Sequence, residues 1–148
     1  MKLNKTILIK ASIEHVWSYL EDSEKQKQWM HGLVDIKKID EVNAIIYIKE
    51  GGRTNPYNVR VLHSNPPSRL HILMYDDRKK FESTADYHLS KQGEFTSLEY
   101  LSEIKVNTLF MKIMMALLGK AFSNIMLNKM FKSLKTIAEG TYKNEASL

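Results

Sequence analysis

Two tyrosines and a serine are the first residues in this chain whose types and spacing suit chemistry. Tyr87 and Tyr100 fall in runs where apolar and polar residues alternate, and Ser102 follows Tyr100 on the same face of its run. Phenols and hydroxyls so placed can donate hydrogen bonds to a carbonyl or hydroxyl of a bound molecule; the plainer reading is a buried tyrosine whose OH meets backbone or water. The five histidines, His15, His31, His63, His71 and His88, show neither H-x-x-x-H nor H-E-x-x-H spacing, so no metal site is expected. Asp76 and Asp77 are adjacent and point to opposite faces of a strand, a poor acid–base pair. No G-x-S-x-G elbow, P-loop or G-x-G-x-x-G occurs; Gly51-Gly52 reads as a hairpin turn with no helix behind it. With zero Cys, disulfides, thiolate–zinc sites and cysteine nucleophiles are excluded together. Covalent catalysis and nucleotide binding thus have no support, and no cofactor is expected.

The elements that must position these groups follow from periodicity. Leu3 to Lys10 alternates around Ile7 and Ile9 and reads as a strand. Ser12 then caps a short amphipathic helix carrying Ile13, Val16, Trp17 and Leu20 on one face, and Ser23 is the expected cap of a second helix, Glu24 to Trp29, stopped by Gly32. Six further strands are expected at 34–40, 44–50, 56–63, 69–75, 80–90 and 95–106, with connections short enough for an antiparallel meander. Parity turns Leu98, Tyr100, Ser102, Ile104 and Val106 inward, with Ser83, Ala85 and Tyr87 on the preceding strand and Tyr57, Val59, Val61 and His63 on an earlier one.

After Asn107 the period becomes helical through Glu139. Phe110, Ile113, Met114, Leu117, Leu118, Ala121 and Ile125 share one broad face, whereas Leu127, Met130, Phe131, Leu134 and Ala138 lie more than a quarter turn away. Either the helix kinks near Gly119, or its first half packs on something other than the sheet. Five of the eight Met fall between Met111 and Met130. Such flexible, polarizable side chains can line a ligand cavity, fill core gaps, or meet a partner or membrane. The lysines of this helix are spread around its circumference, which reads as a solvated surface.

The segment KTILIKASIEHVWSYLED, Trp29 in the second helix and the closing LKTIAE resemble the START-like (SRPBCC) superfamily, in its polyketide cyclase/dehydrase group. The resemblance covers nearly the whole chain. It implies an α+β helix-grip fold: a seven-stranded curved antiparallel sheet around a long C-terminal helix, with two short helices after the first strand. It also implies an apolar cavity between sheet and helix. Combined with strand parity, it makes Trp29, Tyr57, Tyr87, Tyr100, Ser102, Phe110, Met114, Leu117 and Phe122 the expected ligand-binding residues; for Trp29 the alternative is a plain anchor of the second helix. FMKIMMALLG is heavier in Met than is usual in this group.

With 148 residues and 43% of them hydrophobic, residues 1–148 are expected to form one unit with a real core. The net charge of +5 names no partner, and basic residues are not interleaved with aromatics, so nucleic acid is not expected. The longest apolar run, Leu109 to Leu118, contains Lys112 and is too short for an integral membrane segment; with no signal-peptide core near Met1, a cytoplasmic location is expected. The leading expectation is binding or transport of a small hydrophobic molecule, lipid or polyketide-like. One alternative is a cyclase/dehydrase-type enzyme using Tyr87, Tyr100 or His63; another is an interaction module whose Met-rich helix docks a protein partner or a second copy.

Overall fold

A computed structural model describes residues 1–146, so the last two residues of the 1–148 unit lie outside the described residues. β1 (Lys2–Ile9) leads into α1 (Ile13–Glu21) and α2 (Ser23–Trp29). Six strands follow: β2 (Leu33–Lys38), β3 (Asn43–Glu50), β4 (Arg53–Asn65), β5 (Arg69–Tyr75), β6 (Phe81–Gln92) and β7 (Phe95–Val106). They form one curved antiparallel sheet in the order β1-β7-β6-β5-β4-β3-β2, the architecture expected for a helix-grip fold.

Local chemistry sets the boundaries. Ser12 Oγ accepts from the His15 amide at 3.2 Å and so caps α1. For α2 the cap is Asp22, not Ser23: its Oδ1 accepts from the Lys25 amide at 3.0 Å, and Ser23 becomes the first helical residue. The two adjacent residues are both good caps, and the extended backbone of Asp22 decides between them. Gly32 stops the pair with φ +80°, where a Cβ would stand 3.0 Å from the Lys49 carbonyl oxygen. β4 starts earlier and ends later than its sequence pattern suggests, because the ladders to β3 and β5 run through Arg53 and Asn65. Its register shifts between Val61 and His63, so parity reverses there: His63 faces solvent instead of inward, and Ser64 takes the inward direction.

After Thr108, whose Oγ1 accepts from the Met111 amide, come α3 (Leu109–Met114), a π-helical turn (Met115–Gly119) and α4 (Lys120–Ala146). The interruption falls at the Gly119 discontinuity. An i→i+5 turn takes roughly one more residue than an α turn, so the chain beyond it lags the ideal winding by about a quarter turn. The sequence offset and this lag add. Leu127, Phe131, Leu134 and Ala138 are buried, while Phe110 (73% exposed), Leu117 (72%) and Phe122 (65%) are turned outward. In α3 and the π turn only Met111, Met115 and Gly119 are half-buried; Gly119 lies beside Met1, and a Cβ there would be 3.7 Å from the Met1 sulfur. Neither sequence explanation is met as stated: near Gly119 the helix changes its winding to a π turn with the backbone helical on both sides, and its first half, instead of packing on another element, leaves its apolar face exposed.

The core lies between α1, α2, α4 and the inner face of the sheet. Phe131 is its centre, stacked on Trp29 at 6.0 Å between centroids and meeting Tyr100 edge-on at 5.1 Å. Side chain–backbone bonds tie α4 to β1 and the residue after it: Lys135 Nζ donates to the Leu8 carbonyl, and the Lys10 amide donates to Glu139 Oε1. His15 Nε2 reaches the Ala138 carbonyl and Thr141 Oγ1 at 3.0 and 2.9 Å, which joins α1 to α4. By length and composition alone the helical stretch Leu109–Glu145 would suffice to cross a membrane. Its second half is instead part of this core. Phe131→Ala is expected to cost about 3–5 kcal/mol of unfolding free energy, and Leu117→Ala less than about 0.5 kcal/mol. Equal losses in urea denaturation would mean that the first half of the helix is packed as well.

Candidate functional site

A pocket of about 340 Å³ opens between α1–α2 and the inner face of β2 to β6. Its apolar wall combines Trp17, Trp29 and Met30 from the two helices with Ile46, Val59, Val61, Leu70 and Ile72 from the strands. Each pair of strand residues sits two apart, as period-2 geometry requires for one face. The rim is polar: Glu21, Gln26, Lys38, Asp40, Glu41 and Ser64. Glu21 is engaged by the indole of Trp17 at 2.9 Å. The Asn43 side chain, donating to the Asp40 carboxyl, and then the Val42 and Asn43 amides hold that carboxyl below its usual range.

At the inner end stands Tyr87. It is 5% exposed and directly opposite Tyr100 in the β6–β7 ladder, the rings 5.1 Å apart. Among the described residues the Tyr87 hydroxyl has no hydrogen-bond partner, and it is not among groups sealed from solvent without one; its free edge is open to the pocket it lines. Burial holds its phenol well above the ordinary pKa, the facing Tyr100 acting in the same direction. Burial also raises Tyr100, with the Ser102 hydroxyl working against it. Both rings are therefore neutral donors near pH 7, able to bond a carbonyl or hydroxyl.

Of the nine residues expected to bind a ligand, the pocket brings together Trp29 and Tyr87. Trp29 is both wall and anchor: its indole donates to the Tyr19 carbonyl at 2.9 Å while its ring packs on Phe131. Tyr100 stands beside Tyr87 on the neighbouring strand and does not line the pocket. Ser102 is buried 3.5 Å from Ser83 Oγ, outside the pocket. Tyr57 lies away from the pocket, its hydroxyl donating to Glu50 Oε2 at 2.9 Å and its ring against Phe81; burial first and Glu50 second push its pKa up to about 12. Phe110, Met114, Leu117 and Phe122 are on the exposed surface and line no part of the pocket: the first three precede or lie in the π turn, which winds them away from the buried row, and Phe122 in α4 sits on a different face from Leu127, Phe131 and Leu134. The pocket is roofed by α1 and α2 rather than by the long helix, whose Phe131 closes the space behind Trp29. Lining residues absent from the expected set, such as Ile46, Leu70 and Ile72, were readable from the same alternation that marks Val59 and Val61. Among the described residues no three His, Asp or Glu side chains converge as a metal-ligand set.

A sheet gripping a helix beside an apolar pocket defines a class of small-molecule-binding fold, and the comparisons place the chain within it. The sequence profile of the polyketide cyclase / dehydrase and lipid transport family matches residues 1–139; the chain belongs to this family. No curated protein matches the sequence. Solved structures with the same fold include a conserved protein of Geobacillus kaustophilus, 19% identical, with TM-score 0.75 over 96% of this chain and 97% of that one. A Thermus thermophilus protein is 11% identical, with TM-score 0.74 over 95% and 99%. The di-domain aromatase/cyclase StfQ of the steffimycin biosynthetic pathway is 9% identical, with TM-score 0.77 over 99% of this chain and 52% of its own.

Phenols raised by burial favour the folded state while they stay protonated. Their stabilising contribution is complete below the unfolded pKa of about 10 and is lost as pH rises through the folded values. Stability should therefore fall from about pH 10 upward, and less steeply in Tyr57→Phe and Tyr87→Phe than in the unaltered chain. Identical slopes in alkaline denaturation would show that these phenols are not shielded.

Proposed function

We propose that this protein binds and carries a small hydrophobic molecule in the pocket beneath α1 and α2, with Tyr87 donating a hydrogen bond to a carbonyl or hydroxyl of that molecule. One observation carries the reading: an apolar cavity of about 340 Å³ with a single buried phenol whose hydroxyl has no protein partner among the described residues. The volume suits a compact ring system or a short acyl chain, and the polar rim leaves room for a polar end group at the mouth. Membership of a family described by cyclase, dehydrase and lipid-transport members supports the class of ligand. A cytoplasmic carrier is consistent with this reading. An enzymatic reading needs a proton acceptor near the bound molecule. Tyr87 is a poor one, being held protonated by burial; of the carboxylates at the rim, Glu21 is engaged by the Trp17 indole and Asp40 by Val42 and Asn43, and Glu41 stands at the mouth, away from the Tyr87 end.

Fluorescence titration with the apolar probe N-phenyl-1-naphthylamine tests the proposal. The unaltered chain should bind it. Val59→Trp, which fills the pocket, should weaken binding at least about tenfold, and Tyr87→Phe should weaken a carbonyl-bearing analogue of the probe about fivefold while leaving the hydrocarbon probe unchanged. Undiminished binding by Val59→Trp would show that the ligand sits elsewhere.

A further inference from the structure

The most unusual surface of the molecule is one the pocket does not use. Across Leu109 to Ile125 the exposed side chains include Phe110, Ile113, Leu117, Leu118, Phe122 and Ile125, all at least half exposed. The most apolar window of this helix has none of its residues buried. A contiguous apolar surface of this kind marks an interaction site. Charge indicates the partner. No Asp or Glu occurs between Glu103 and Glu139, whereas Lys105, Lys112, Lys120, Lys129 and Lys132 do, all exposed and none in an ion pair among the described residues. A second copy would set these lysines against one another, and a protein groove would have to supply acids beside every apolar contact. An anionic lipid surface supplies both phases together, acyl chains for the apolar residues and phosphates for the exposed lysines around the helix and on the end of β7.

We propose that the segment Leu109–Ile125 docks the protein on an anionic membrane surface, lying in the headgroup plane. Crossing the bilayer is disfavoured by geometry. The seventeen exposed residues span about 25 Å, short of the roughly 30 Å hydrocarbon layer, and the helix that continues them to Glu145 is held in the core by Leu127, Phe131, Leu134 and Ala138. The π turn at Met115–Gly119 winds Phe110 and Ile113 away from the buried row Leu127 to Ala138, and Phe122 and Ile125 lie on the other face of α4 from that row, so the surface is displayed without unfolding any packed element. The docking surface stands independently of what the pocket holds.

Co-sedimentation of the full chain with extruded vesicles tests this. Phosphatidylcholine vesicles containing about 30 mol% phosphatidylglycerol should bind the chain at least tenfold more tightly than pure phosphatidylcholine, with binding weakened by added salt. The double variant Leu117→Asp, Leu118→Asp should lose binding at least tenfold, Lys112→Glu roughly fivefold or more, and both should keep the unaltered melting temperature. Val59→Trp should bind vesicles normally, which separates this surface from the pocket. Absence of vesicle binding, equal binding to neutral vesicles, or full binding by the Asp variant would overturn the proposal. So would a dimer in sedimentation velocity that the Asp variant dissociates and that does not bind vesicles.

Discussion

The packing of Phe131 between Trp29 and Tyr100 is the constraint from which the rest of the structure follows. One side chain joins three elements that are distant in sequence: the second short helix, the last strand and the long helix. Because Phe131 is 1% exposed, the rotation of α4 about its axis is fixed at that point, and Leu127, Leu134 and Ala138 are carried into the core with it. The same contact holds Trp29 over the sheet, and Trp29 in turn forms one wall of the pocket. Behind Tyr100 the aromatic row continues to Tyr87, which presents a hydroxyl at the inner end of an otherwise hydrophobic wall.

What is pinned at one end of the helix is released at the other. With the core face of α4 fixed, the winding of the preceding turns decides where Phe110 and Leu117 point, and the π turn sends them to solvent. The helix therefore serves two surfaces in sequence. Its second half closes the core, and its first half leaves the sheet and exposes apolar side chains among lysines that form no ion pair among the described residues. The pocket is left to the two short helices, which form a small roof over β2 to β6 instead of a lid made by the long helix.

Much of this was legible in the sequence, for physical reasons that differ by element. β6 and β7 form a long hairpin with an unbroken register from Phe81↔Val106 to Gln92↔Phe95, so simple parity placed Tyr87, Tyr100 and Ser102 on the inner face. Parity failed at His63 because a single extra residue in β4 reverses every direction beyond it, and nothing in the residue types announces a bulge there. The offset of the two helical faces near Gly119 was visible as a phase shift. Its sense was not, since an apolar residue such as Phe110 carries the same periodic signal whether it meets a core or water. The walls of the pocket were written in the alternation of β3, β4 and β5; the roof was not, because α1 and α2 could be placed on the sheet only once Phe131 had fixed Trp29.

The central claim is that the ligand-binding cavity lies beneath α1 and α2 and not under the long helix. Methyl-resolved NMR during addition of N-phenyl-1-naphthylamine tests it most directly. The account predicts that the methyl signals of Val59, Val61 and Ile72 shift together and saturate, while those of Leu117 and Leu118 stay in place. Shifts confined to Leu117 and Leu118, with Val59, Val61 and Ile72 unmoved, would contradict it.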